Sequence, residues 1–264
     1  MLHDFLSLPT FVMCIIAILA GAAVSITALL IIRKKLPWES TQENHEVGGF
    51  LFNALGLIYA VLIAFVVIAT WEDYNMAKNY CENEANILQN LFLDSEGLPQ
   101  ASQLLIKENI LEYTRSVINE DWPLLSIDKS NPNSKQKLIE IWKIFSSMDS
   151  IKTEKEKIYF AESLDKLNDI TDYRRLRILS SQNHIPAIIW TVIILGALTS
   201  IGFSLFFGTK SFTIQATMTS LFAMTNSIVI LMIVALDHPF TGDIKITPDA
   251  FEQILNNLES YMAK

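Results

Sequence analysis

Few residues in this sequence have the types and spacing that catalytic chemistry requires. The four histidines lie far apart along the chain, at His3, His45, His184 and His238. The sequence contains no glycine-rich phosphate loop and no Gly-x-Ser-x-Gly, His-Glu-x-x-His or Cys-x-x-Cys pattern. We therefore expect no enzymatic activity and no cofactor.

The densest group of potential ligands follows residue 236. It consists of Asp237, His238, Asp243, Asp249 and Glu252. Carboxylate oxygens within a turn can hold a hard cation. The alternative, which we favour, is a solvated acidic loop whose side chains cap helices.

Two further groups lie next to apolar segments. Trp71, Glu72 and Tyr74 follow one such segment, where Trp and Tyr are expected as anchors at a membrane interface. Arg174, Arg175 and Arg177 precede another. These arginines either contact anionic lipid headgroups or form a basic collar that concentrates anions at a pore mouth.

The elements that position these groups are long apolar stretches. Of the 264 residues, 51% are apolar and 18% are charged, and the net charge is −8. Four stretches of 22 or more residues contain no Asp, Glu, Lys, Arg or His, and each is long enough to cross a bilayer core of about 30 Å. The predicted spans are Thr10–Ile32, Gly48–Thr70, Ile185–Phe207 and Phe212–Leu236. A plain soluble enzyme and a disordered chain are excluded.

Each span carries small residues at four-residue spacing, which indicates close packing between membrane helices. Examples are Gly21 and Ser25 in the first span and Ser220 in the fourth. Because no ionisable residue lies inside a span, a proton-driven transporter is disfavoured. Hydroxyl and amide side chains such as Asn53 can line a passive pathway.

The segment between spans two and three is polar and helical in pattern. We predict four helices there, with a turn at Trp122-Pro123 and over residues 128–134 before the third helix, and with a capping box at Thr153 that opens the fourth. Pro239 and Gly242 predict a turn after span four, and an amphipathic helix follows with Thr247 as its cap and Pro248 in its first turn. The predicted fold is an all-α membrane protein with four spans, a four-helix extramembrane bundle and a C-terminal amphipathic helix.

The corresponding domains are residues 1–71 with spans one and two, 72–184 with the helical bundle, 185–236 with spans three and four, and 237–264 with the turn and last helix. The bundle has 14 Lys and Arg against 19 Asp and Glu, so we expect no nucleic-acid partner.

Two segments resemble bestrophins. One is Leu55-Gly56 followed by Trp71-Glu72-Asp73-Tyr74, and the other is Asp237-His238-Pro239-Phe240. The chain is still more similar to a bacterial bestrophin-like family. That pattern includes Tyr59–Leu62 running into Trp71, Asp121-Trp122-Pro123, and the turn made of Asp237, Pro239, Phe240 and Gly242.

The resemblance implies an oligomeric, passive anion channel of the chloride type, a pentamer in the bilayer of a bacterial inner membrane with a cytoplasmic helical domain. Span two would line the pore, with Asn53, Leu57, Ala60 and Ala64 as pore-lining candidates. Asn53 and Leu57 correspond to the aromatic neck positions of bestrophins. Asp243 and Asp249 correspond to the acidic run that holds calcium in bestrophins, which makes them the calcium candidates. The pore mouth would then be shaped by two groups of residues: Trp71, Glu72 and Tyr74, and Arg174, Arg175 and Arg177.

Two alternatives stay open. The first is that the chain is a membrane-anchored sensor or scaffold whose helical bundle binds a partner or ligand. Its orientation is also not decided by charge, because one side of the membrane carries four basic residues near the spans and the other carries five. If the first span dominates, Arg33-Lys34-Lys35 would be cytoplasmic and the bundle external.

Overall fold

The computed structural model describes residues 5–35, 45–149 and 151–263, and all regular structure in these ranges is helical. A 3₁₀ turn covers Ser95–Gly97 and a π-helical turn covers Val117–Asp121. The α-helices are α1 Thr10–Lys35, α2 His45–Asp94, α3 Gln100–Ser116, α4 Trp122–Leu125, α5 Pro132–Ser146, α6 Glu154–Gln182, α7 Ala187–Ser204, α8 Phe212–Leu236 and α9 Asp249–Met262.

Four helical stretches are long and apolar enough to cross a membrane: Thr10–Lys35, Glu46–Gly97, Glu154–Ser204 and Phe212–Leu236. They contain the first, second and fourth predicted spans in full and the third from Ile185 to Ser204, so the prediction of an all-α membrane fold is confirmed. At 1.5 Å per residue α2 is about 75 Å long, more than twice the bilayer core. Its second half therefore extends into the polar segment.

The chain divides into two compact units. The membrane unit comprises Met1–Glu72, His184–Asp237 and Gly242–Ile244. The helical unit comprises Asp73–Asn183, His238–Thr241 and Lys245–Lys264.

In the membrane unit, α1 packs along α8 through the small residues that the sequence places on both helices. A Cβ atom added to Gly21 would lie 2.4 Å from Ser227 Oγ and 3.0 Å from the backbone oxygen of Ala223. One turn on, Ser25 Oγ donates a hydrogen bond to Ser220 Oγ at 3.3 Å. Small side chains thus bring the two backbones together, as membrane helices require.

The contact between α2 and α7 is also built on a glycine. The Tyr59 ring lies over Gly196, where an added Cβ would be 2.4 Å from ring carbons. The Tyr59 hydroxyl donates to the carbonyl of Ile193 at 3.2 Å, and the Phe52 ring stacks on Phe203 with 5.7 Å between centroids. One side of α2 is therefore fixed against α7.

The helical unit has a continuous apolar core to which α2, α3, α5, α6 and α9 contribute. The amphipathic helix α9 buries Phe251, Ile254 and Leu258 in this core, with the Phe251 ring 5.5 Å from Trp122. Burial of such a face, at roughly 25 cal/mol per Å², stabilises the unit. The predicted packing face of the last helix is confirmed, and its partner is the helical unit.

The predicted helix ends are partly confirmed. Thr153 Oγ1 accepts from Glu156 N at 3.1 Å and Glu156 Oε2 accepts from Thr153 N at 2.7 Å, so the capping box is present. The predicted cap at Thr247 is wrong, because α9 begins at Asp249 and Pro248 precedes it. The predicted turn at Trp122-Pro123 is also wrong, since the chain stays helical through the π turn into α4.

Candidate functional site

The four pore-lining candidates share one face of α2. Asn53, Leu57, Ala60 and Ala64 are all exposed in the single chain, and the Leu57 side chain is 67% exposed. At 3.6 residues per turn they occupy about 60° of the helix circumference. We call these four residues the pore-face candidates. The side of α2 that packs on α7, at Phe52 and Tyr59, lies about 120° round the helix from the centre of this face.

The three residues at the end of span two point in different directions. Trp71 lies along the line of the pore-face candidates and is exposed. Glu72, one residue on, is exposed but rotated by about 100° from Trp71. Tyr74 is half-buried and packs against the core of the helical unit. Only Trp71 among the three extends the candidate face.

Arg177 lies in the interior of the helical unit with none of its surface exposed. Its Nε donates to Glu84 Oε2 at 2.7 Å and its Nη2 donates to Asp121 Oδ2 at 3.0 Å. The Tyr113 hydroxyl donates to the other Glu84 oxygen at 2.5 Å. We call Arg177, Glu84, Asp121 and Tyr113 the buried ion network.

The protonation states in this network follow from its contacts. Burial by itself lowers the pKa of the Arg177 guanidinium, but the charge and hydrogen bonds of Glu84 more than offset it and raise that pKa well above its ordinary value. Burial, followed by the Glu84 charge, raises the pKa of the Tyr113 hydroxyl well above its ordinary value. The arginine is therefore charged and the tyrosine neutral.

The other two arginines, Arg174 and Arg175, differ from each other in burial. Arg174 is buried, and its Nη2 donates to Ser134 Oγ at 2.8 Å, which in turn donates to Asp121 Oδ1 at 2.7 Å. Arg175 is exposed, and its one ion pair is with the equally exposed Asp172 at 3.1 Å. Of the three arginines, Arg175 is the one whose charge faces solvent.

A signal in the sequence points to this arrangement. The buried positions of α6 are Ser163, Leu167, Ile170, Arg174, Arg177 and Ser181, which recur every three or four residues. Because residues at this spacing share one face of a helix, the apolar stripe that starts at Leu167 continues through Arg174 and Arg177 but not through Arg175. Glu84 and Asp121, which the sequence reading did not single out as ion-pair partners, come from distant helices.

The turn after span four is held by backbone contacts. Asp237 Oδ1 accepts from Ile185 N at 2.8 Å in the membrane unit, and the Asp237 carbonyl lies 2.9 Å from His184 Nδ1. Gly242 has φ +87°, and an added Cβ would meet the carbonyl oxygen of Leu6 at 2.7 Å. This position therefore favours glycine both for its backbone conformation and for its close neighbour.

The other motif residues of the turn belong to the helical unit. The Pro239 carbonyl accepts from Ile246 N at 2.8 Å, and the Ile246 carbonyl accepts from Trp122 Nε1 at 3.1 Å. The Phe240 ring meets Trp122 edge to face, with 5.9 Å between centroids. Pro239 and Phe240 thus bring the chain onto Trp122, which explains why acid-Trp-Pro and Pro-Phe occur in one pattern.

The two calcium candidates lie at helix N-termini. Asp243 Oδ2 accepts from the backbone N–H of Thr10, the first residue of α1, at 2.8 Å. Asp249 is exposed in the first turn of α9. Carboxylates at these positions pair with free N–H groups and with the helix dipole, and they need no metal to be favourable there.

The family is decided by comparison with known sequences. A profile described as the Bestrophin-like domain matches residues 13–251, which is most of the chain. The chain belongs to the bestrophin-like family. No curated protein matches the sequence. The resemblance inferred from the motifs is therefore confirmed.

Solved structures of low identity share the bestrophin-like fold. A bacterial bestrophin homolog from Klebsiella pneumoniae has 13% identity and a TM-score of 0.70, with 95% of this chain and 98% of that chain covered. A substituted form of the same homolog has 14% identity and a TM-score of 0.71, covering 95% and 97%. A crystal structure described as a membrane protein has 12% identity and a TM-score of 0.71, covering 95% and 99%.

These findings establish the broad class of the bestrophin-like chain. It is a multi-pass membrane protein, and its family is one of channels rather than enzymes. An ion-channel kind of function is therefore supported. The likeness to solved structures concerns the fold alone.

Proposed function

We propose that this protein is an oligomeric, passive anion channel of the chloride type in a bacterial inner membrane. The observation that supports it most is the candidate face of α2. Asn53, Leu57, Ala60 and Ala64 are exposed together, whereas Phe52 and Tyr59 fix the other side of the helix against α7. A face that combines an amide, a leucine and two alanines on a long membrane helix can line a pore once copies of the chain assemble. We propose a pentamer by family resemblance.

The chemistry of that face fits passive anion passage. Asn53 offers amide N–H donors, which can replace part of an anion's hydration shell without binding it as tightly as a full positive charge would. Ala60 and Ala64 leave room along the same line. None of the predicted spans contains an ionisable residue, so no proton or ion coupling is built into them.

We propose that Arg175 supplies the positive field at the pore mouth. Its guanidinium faces solvent, and because its pair with Asp172 is exposed as well, water and salt screen that pair and leave the guanidinium able to attract anions. Arg174 and Arg177 instead hold the helical unit together through their buried partners. Trp71 lies on the candidate face, and Glu72 is exposed on a different side of the helix.

The proposal is tested by anion efflux from liposomes that contain the purified protein. Asn53→Leu removes the amide donors, so we expect slower anion flux. Leu57→Ala removes a large side chain from the same face one turn further along the helix, so we expect faster flux or weaker selectivity. Leu198→Ala on α7 is the matched control. Leu198 is exposed like Leu57 but lies on another helix, so its variant should behave as the native protein.

Two outcomes would overturn the proposal. One is native flux from both α2 variants in an assay that responds to the protein. The other is an assembled protein that passes no anions at all, which would favour the membrane-anchored sensor or scaffold and direct attention to partners of the helical unit.

A further inference from the structure

An apolar pocket lies at the end of the membrane unit where α7 ends and α2 and α8 begin. Its volume is about 330 Å³. We call it the aromatic pocket, and it is lined by Gly49, Phe52, Phe207, Met218 and Phe222 together with the amide side chains of Gln215 and of Asn53, one of the pore-face candidates. The Phe52 ring lies 5.4 Å from Phe207 and 5.9 Å from Phe222, centroid to centroid. In a bilayer such a pocket is filled by hydrocarbon rather than by water.

A guanidinium that forms no ion pair within the described ranges adjoins this pocket. Arg33 Nε donates to Gln215 Oε1 at 2.9 Å, Nη2 donates to the carbonyl of Thr209, and the group lies 5.5 Å from the centre of the Phe212 ring. All these partners are neutral. Within the described ranges, no carboxylate forms an ion pair with Arg33. Gln215 links the cation to the pocket, because its buried side chain also lines the pocket.

The same end of the membrane unit carries further positive charge. Lys34 and Lys35 end α1, and Lys210 lies between α7 and α8; all three are exposed. Four cations next to an apolar pocket match an anionic phospholipid, whose phosphate and acyl chain are joined in one molecule. Glu46, exposed in the first turn of α2, is the one carboxylate that the described ranges place at this end, so the four cations remain in excess. A second copy of this chain would bring the same excess of positive charge, and repulsion disfavours it as the occupant.

We propose that this end of the membrane unit binds one anionic phospholipid, with its phosphate against Arg33 and the lysines and one acyl chain in the aromatic pocket. The neutral hydrogen bonds of Arg33 orient the guanidinium without cancelling its charge, so a phosphate gains a preorganised partner. Zwitterionic lipids carry a compensating ammonium and gain less from the same cations. The proposal does not depend on channel function.

The test is native mass spectrometry of the whole protein in mild detergent, titrated with phosphatidylglycerol or with phosphatidylcholine. Phosphatidylglycerol should bind in preference. Arg33→Gln should weaken that binding about fivefold, since one basic residue near a lipid surface contributes about 1 kcal/mol and 1.4 kcal/mol is tenfold. Lys78→Gln is the matched control, because Lys78 is an exposed cation of the helical unit.

A second variant tests the pocket without changing charge. An added Cβ at Gly49 would meet nothing within 4 Å, so Gly49→Leu can place its side chain in the pocket without a clash. It should reduce phosphatidylglycerol binding several-fold. Gly202→Leu on α7 is its control, since Gly202 has equal room but does not line the pocket, and it should bind as the native protein does.

Three results would overturn the proposal. Equal binding of the two lipids would remove the role of charge. Native binding by Gly49→Leu would remove the role of the pocket. Displacement of phosphatidylglycerol by inorganic phosphate alone would indicate an anion site that does not need the acyl chain.

Discussion

At the scale of single residues, the buried ion network sets the consequences of mutation in the helical unit. Removing one member of a buried ion pair leaves an uncompensated charge and costs about 3–5 kcal/mol. Arg177→Leu leaves both Glu84 and Asp121 without their guanidinium. We expect it to lower the free energy of unfolding by that amount, as measured by urea titration of the detergent-solubilised protein.

Arg175→Leu is the matched control for this prediction. The same residue type is replaced two positions away, but its partner Asp172 is exposed, and exposed pairs contribute about 0–1 kcal/mol. Equal destabilisation by the two variants would contradict a structural role for the network.

Cys81 gives a prediction about pH. Burial raises the pKa of the Cys81 thiol from 9.0 to about 12, although the positive charge of Arg177 opposes the shift. Because the folded state favours the neutral thiol, this stabilisation is complete below pH 9.0 and is lost as pH rises towards about 12. Urea titrations across that range should show a steeper loss of stability for the native protein than for Cys81→Ala.

Alkylation checks the same residue by another route. Near neutral pH the native protein should resist a maleimide at Cys81, because little thiolate forms and the side chain is buried. Denaturation should expose it at once. Cys14→Ala serves as the background, so that Cys81 is the one remaining cysteine. Rapid labelling of the folded protein would show that the thiol is accessible.

At the scale of elements, the contact of α1 with α8 depends on Gly21. Any side chain there meets the backbone oxygen of Ala223, which cannot rotate away. We expect Gly21→Val to force the helices apart and to cost about 1–3 kcal/mol, as overpacking does. Thermal unfolding of the solubilised protein should show a lower midpoint for Gly21→Val than for Gly202→Val, whose site is open. Equal midpoints would mean that α1 and α8 do not pack at Gly21.

The elements also show what local sequence can predict. The spans and the capping box at Thr153 depend on residues within a few turns, and their predictions were confirmed. The helical course through Trp122-Pro123 was missed because distant contacts decide it. Trp122 Nε1 donates to Ile246, and Asp121 in the π turn pairs with Arg177. A tertiary bond across more than a hundred residues leaves no local pattern.

The candidate site also has one part that local sequence predicts and one part that depends on distant contacts. Helical spacing alone places Asn53, Leu57, Ala60 and Ala64 on one face, and the structure shows that face exposed. Spacing also explains why Arg175 differs from Arg174 and Arg177, but the partners of the buried arginines become visible only in three dimensions. The pore role of the face needs the assembled oligomer and stays a prediction.

At the scale of the whole molecule, the orientation in the membrane is predicted from family resemblance, because the basic residues near the spans do not favour either side. We predict a cytoplasmic helical unit, with the loop between α7 and α8 on the outer side. Single cysteines test this in a Cys14→Ala, Cys81→Ala background. In intact cells a membrane-impermeant maleimide should label Lys210→Cys but not Lys152→Cys, since both positions are exposed and they lie on opposite sides of span three. Permeabilised cells should label both, which controls for reactivity. Labelling of Lys152→Cys from outside would show that the orientation is the reverse. Arg175 would then attract anions on the outer side of the membrane. The basic residues from Arg33 to Lys35 would face the cytoplasm, as basic flanks of a first span usually do.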